Sequence, residues 1–160
     1  MGGRKYQPGA PDELPPHMSP GRKQAAGPRF LNVDLEVRSR KNLAPLAAEL
    51  DRKAVVLHCE RVRSAWFLRV ESGRSHRGPD ATIRALCKVV EGLSEPIKNL
   101  WRSADRKAFD IGYETNPDAP VFAATVTPGT LRLVAQLGAD LVVTIYPPEL
   151  PGASPLTATT

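Results

Sequence analysis

From Phe30 to Arg38 the chain alternates without a break. Leu31, Val33, Leu35 and Val37 fall on one side, Asn32, Asp34, Glu36 and Arg38 on the other. A repeat of two marks a strand with one buried face. Leu43 to Leu50 changes to a helical repeat, with Asn42 placed to cap it and Leu43, Leu46, Ala47 and Leu50 on one side. Ala54–Val62 and Ala65–Glu71 read as two strands joined by a tight turn at Arg63-Ser64, and turn formers fill Gly73 to Pro79. A helix capped by Asp80 follows, its stripe formed by Ile83, Leu86, Cys87 and Val90. Gly92 interrupts it, and Ser94 opens a second helix with Ile97, Leu100, Trp101 and Ala104 along one face.

Ala108–Glu114 reads as a strand, Asn116-Pro117-Asp118 as a turn, and Val121–Val126 as another strand. Thr127-Pro128 starts a helix that ends at Gly138, and Asp140–Tyr146 is a last strand stopped by Pro147-Pro148. The order is β-α-β three times. The expected fold is therefore α+β, with the first two units in the split βαβ, ferredoxin-like arrangement. Helices should cover one face of a mainly antiparallel sheet, and the third unit should extend that sheet or pack beside it.

Outside this region the pattern stops. Residues 1–29 hold six prolines and five glycines, and residues 148–160 are similarly rich in proline and small polar residues. Such segments bury too little to offset the entropy of ordering, so both are expected to be disordered tails on a single domain of residues 30–147. The net charge of +5 suggests nucleic acid until its distribution is examined. Residues 1–29 carry +3, and the remainder balances 17 basic residues against 15 acidic ones. Weak, salt-sensitive polyanion contact through the N-terminal tail is the most this supports. No apolar run approaches the roughly 20 residues of a membrane helix, and no apolar stretch follows the basic N-terminus as in a secretion signal. A cytoplasmic chain without membrane contact is expected.

Few chemistries survive inspection. His58 and Cys59 are adjacent, but neighbours on a strand point to opposite faces and cannot grip one ion. Cys59, grouped by alternation with Val55 and Leu57, and Cys87, on its helix stripe, read as core thiols. With three histidines and no ligand spacing, no metal site is expected. There is no nucleophile elbow and no phosphate-binding glycine loop, so neither a catalytic residue nor a cofactor is assigned. The Thr127–Thr130 helix start could face an anion, but reads as an ordinary cap.

The sheet face turned away from the helices is the remaining candidate. It should gather Asp34 and Glu36 from the first strand and Asp110 and Glu114 from the fourth. His58, Glu60, Phe67 and Arg69 join from the hairpin, provided Trp66, Leu68 and Val70 point inward. Crowded carboxylates can raise one another's pKa and do acid–base work, or serve as a binding surface, or simply pair with Arg38 and Arg69. Asp34 and Glu36 on a central strand would repel phosphates, which argues against RNA binding on this face.

Leu31-Asn-Val-Asp-Leu-Glu-Val, Phe109-Asp-Ile-Gly-Tyr-Glu and the stretch Thr130–Pro147 resemble a bacterial family of uncharacterised proteins. The resemblance covers residues 30–147 and brings no catalytic residues. It implies an immunity-type or interaction protein. The expected function is thus non-enzymatic binding of another protein through the face carrying Asp34, Glu36, His58, Phe67, Arg69, Asp110 and Glu114. The alternatives are an enzyme using the same carboxylates and a nucleic-acid accessory protein acting through the basic tail.

Overall fold

The computed structural model describes residues 28–115 and 122–147. The segments expected as tails (apart from Pro28 and Arg29) and the Asn116–Asp118 turn lie outside them. The elements are β1 (Arg29–Ser39), α1 (Ala44–Leu50), β2 (Ala54–Val62), β3 (Ala65–Ser72), α2 (Pro79–Glu91), α3 (Glu95–Arg102), β4 (Arg106–Glu114), α4 (Pro128–Gln136) and β5 (Asp140–Tyr146). Arg29, grouped with the tail on composition, is the first residue of β1.

The strands form one mixed sheet in the order β2-β3-β1-β4-β5. β1 is antiparallel to both β3 and β4, β2 is antiparallel to β3, and β5 runs parallel to β4. Alternation along β1 sends Val33, Leu35 and Val37 into the core, where they meet Leu68 and Val70 of β3 and Phe109 and Ile111 of β4. Leu46 and Leu50 of α1, Ile83, Leu86, Cys87 and Val90 of α2, Trp101 of α3 and Val134 of α4 belong to the same cluster. The helices therefore share one face of the sheet.

Each helix has a proline at its first or second position, where the missing N–H has no intrahelical acceptor to lose. Leu43, rather than the expected Asn42, holds the N-cap of α1 and makes no side-chain cap bond. Asn42 Oδ1, one residue earlier, accepts from the Ala44 N–H at 2.8 Å. Thr127 caps α4 as expected, its hydroxyl oxygen accepting from the Thr130 N–H at 3.4 Å. Asp80 and Ser94 join elements rather than cap their own. Gly78, at φ 94°, holds the N-cap of α2, and Asp80 sits in the first turn. Its carboxylate accepts from the Thr127 N–H at 2.8 Å and the Thr127 hydroxyl at 3.0 Å, tying α2 to the start of α4. Those bonds, the backbone one first, hold the Asp80 pKa below its ordinary value. Ser94 stands at the N-cap of α3, yet its N–H and hydroxyl donate to Glu49 of α1 at 2.5 and 2.7 Å. Trp101 Nε1 donates to the Leu137 carbonyl at 3.0 Å and anchors the end of α4.

Two expectations need correction. Residues 122–126 form no strand, so among the described residues the third βαβ unit lacks its opening strand and five strands stand where six were expected. The place beside β4 is taken by β5, whose Val142-Val143-Thr144-Ile145 run is richer in β-branched residues than Phe122-Ala-Ala-Thr-Val126. Phe122 instead packs edge-on against Tyr113, with ring centroids 5.2 Å apart.

The second correction concerns β2. A bulge between Val56 and His58 places two residues opposite one and resets the alternation. Val55 and Leu57 are consequently exposed, while Cys59 lies opposite Leu68 on the core side and is half-buried. Cys59 reaches the expected side for a different reason, and it is not fully buried. Cys87 is fully buried, and burial pushes its thiol up to about 12.

Native-state thiol labelling should therefore modify Cys59 well before Cys87; equal rates would contradict this packing. Leu35→Ala should lower unfolding free energy by about 2–5 kcal/mol, since Leu35 is fully buried between two strands. Val143→Lys, at a position 57% exposed on β5, should change it by less than about 0.5 kcal/mol. Urea denaturation measures both.

Candidate functional site

The pairing registers determine what the open face of the sheet brings together. Asp34 lies opposite Glu71 of β3 on one side and Asp110 of β4 on the other. Glu36 lies opposite Arg69, and Arg38 opposite Phe67. Three carboxylates are thus forced abreast across the sheet, with a fourth one step along the strand.

Arg69 is the cation that faces them. Its Nη2 donates to Glu36 Oε1 at 2.6 Å, and its Nε lies 3.6 Å from Asp34 Oδ2, too long for a good hydrogen bond. That Nε is buried and has no hydrogen-bond partner among the described residues. The guanidinium also lies 5.6 Å from the Phe67 ring centre. Asp110 accepts from the Thr144 hydroxyl at 2.7 and 2.9 Å. Asn32 donates its amide to Asp34 Oδ1 at 2.9 Å and also to Glu71. Glu114 closes the upper end through Arg29, 2.8 Å away.

Asp34 responds to this crowding. Its side chain is 14% exposed, and its pKa is pushed up to about 6. Burial is the main cause; Arg69 pulls the other way, and Glu71 then adds to the rise. The residue changes charge near neutral pH because the sheet withholds water from it faster than Arg69 compensates.

Of the residues expected here, Asp34, Glu36, Arg69 and Asp110 converge, and Phe67 joins them through Arg69. His58 lies opposite Arg69 beside the bulge and is exposed. Glu114 sits with Arg29 instead of in the cluster. The expected pairing of the acids with Arg38 does not occur: Arg38 sits beyond them, opposite Arg106.

Four participants escaped the sequence reading. Glu71 continues the Phe67, Arg69 alternation, and Asn32 stands in the polar row of β1, so both were within reach of periodicity. Thr144 enters only through the parallel pairing of β5. Gly112 has a steric role: a Cβ there would lie 2.9 Å from Asn32 Oδ1 and 3.6 Å from the Tyr146 ring. The bare backbone lets Asn32 lie flat against β4.

The resulting surface is a broad, open depression of about 1030 Å³, bordered by Asn32, Asp34, Arg69, Glu71, Glu114 and Tyr146. Among the described residues no group of three or more His, Cys, Asp or Glu side chains is placed to hold a metal ion. No helix among them is long and apolar enough to cross a membrane.

Asp34 holds its proton more tightly in the folded chain than in the unfolded one, so its contribution to stability falls as pH rises from 3.8 to about 6. Asp34→Asn should equal the wild type in stability near pH 4 and exceed it above pH 6. The gain should be about 1–2 kcal/mol, discounted from the full shift because the face is open to water. Denaturation across pH reads this, and a variant less stable at pH 7 would contradict it. Gly112→Ala should cost roughly 1–3 kcal/mol by displacing Asn32 from both acceptors.

Comparison with known proteins leaves the reading to this geometry: no family model, no curated protein and no solved structure matches the chain.

Proposed function

We propose that the chain is a non-enzymatic protein-binding module, of the immunity type that its resemblance implies, and that the acidic open face receives a basic partner. The observation that carries this is the row of Asp34, Glu71 and Asp110 abreast across the sheet, with Glu36 one step along. Among the described residues Arg69 pairs with Asp34 and Glu36 alone. Like charges held side by side oppose folding, and a partner's Lys or Arg residues would relieve them. The surface is open and broad, which suits a protein partner better than a small substrate. In the same reading β1 to β4 constitute a split βαβ, ferredoxin-like sheet with β5 added at one edge, and the protein works in the bacterial cytoplasm.

A carboxylate-based enzyme is the second reading, carried by Asp34, whose pKa of about 6 suits proton transfer. Arg69 beside Asp34 and the openness of the face favour binding instead.

The test compares capture of host proteins by the immobilised wild-type chain and by the Asp34→Asn/Asp110→Asn double variant. Wild type should retain a basic protein that elutes as salt is raised and that binds more tightly as pH rises through about 6, where Asp34 becomes charged. The double variant should be at least as stable, associate more slowly and show a weaker salt dependence. Unchanged capture together with a loss of stability would reject the recognition reading.

A further inference from the structure

Beyond the acids, the same sheet changes sign. Arg38 of β1 lies directly opposite Arg106 of β4, and on its other side opposite Phe67 of β3. Two like charges facing each other across a ladder oppose pairing. Arg106 has a loose partner, Asp140 at 3.5 Å, with both side chains more than half exposed. Arg38 has no ion pair or hydrogen bond among the described residues. A third arginine, Arg63, stands at the tip of the β2–β3 turn with φ 57° and is likewise unpaired among the described residues.

These three side chains surround a cavity of about 670 Å³ whose apolar walls include Val62 and Phe67; the Trp66 ring lies on the core side of β3. The one carboxylate in its lining, Glu36, is already engaged by Arg69 at 2.6 Å. The cavity thus presents Arg38 and Arg63, unpaired among the described residues, and the loosely paired Arg106 beside aromatic and aliphatic surface. It lies within the roughly 300–1,000 Å³ typical of small-ligand sites, and a few convergent polar groups on apolar walls is their usual composition. Arginine favours phosphate and carboxylate because its planar fork can donate two parallel hydrogen bonds.

We infer that this cavity binds a small organic anion with a flat apolar body. Its phosphate or carboxylate is held by Arg38 and Arg106, and its ring lies against Phe67 and Val62. The bound anion would neutralise the facing arginines, which explains why a repulsive pair closes the end of the β1–β4 ladder. Arg63, on the turn, closes the site from the side. This site adjoins the acidic surface through Glu36 but does not depend on that surface having a partner.

Adenosine monophosphate is a suitable probe, with adenosine and inorganic phosphate as its two halves. Isothermal titration calorimetry reads the binding. Adenosine monophosphate should bind saturably, and each half alone should bind at least about tenfold more weakly, as expected when charge and ring both contribute. Arg38→Ala should weaken binding by about tenfold or more while preserving or raising the unfolding midpoint, since it removes the repulsion with Arg106. Arg63→Gly, tolerated by the positive φ, should weaken it by a smaller factor. A response that does not saturate overturns the inference. So does inorganic phosphate or adenosine binding as well as the whole nucleotide, or an affinity that Arg38→Ala leaves unchanged.

Discussion

Hydrogen bonding of β1 on both sides is the constraint on which the rest of this structure depends. A strand in that position has no solvent edge, so its two-residue alternation must satisfy two faces at once. One row, Val33, Leu35 and Val37, becomes the centre of the core against which all four helices pack. The other row, Asn32, Asp34, Glu36 and Arg38, is then confined to the open face with neighbours on both flanks. No charged residue in that row can turn away from its neighbours. The raised pKa of Asp34 and the facing arginines at the other end both follow from this enclosure.

The enclosure also explains why small deviations from regular strand geometry matter. The bulge in β2 rotates Cys59 inward and leaves Val55 and Leu57 outside, placing His58 beside Arg69. At the other flank, Gly112 leaves room for Asn32, whose amide holds Asp34 and Glu71 together. The face is therefore ordered by side-chain hydrogen bonds across three strands.

Periodicity made β1, the β2–β3 hairpin, the helices and most of the acidic face legible, because alternation and helical repeats are local properties. Asp34, Glu36, Arg69 and Asp110 could be grouped once the split βαβ order was assumed. What escaped was non-local. Whether Phe122–Val126 or Asp140–Tyr146 would occupy the edge beside β4 is a competition between distant segments, and local propensity alone does not decide it. The bulge at Val56–His58 breaks the alternation without any glycine or proline to announce it. The separation of Arg38 from the acids likewise depends on register, which only the assembled sheet reveals.

The position of β1 has a further consequence during synthesis. It is the first of the described strands to leave the ribosome, yet its partners β3 and β4 lie at residues 65–72 and 106–114. Until β4 emerges, one full edge of the central strand, with the apolar row of Val33, Leu35 and Val37, lacks its final cover. A chain made at about 5–20 residues per second passes that interval in seconds. The hairpin of β2 and β3 is available earlier and can shelter one side of β1. Closure of the sheet then waits on the arrival of β4, and contacts of such long sequence separation make this a slow-folding topology for its size.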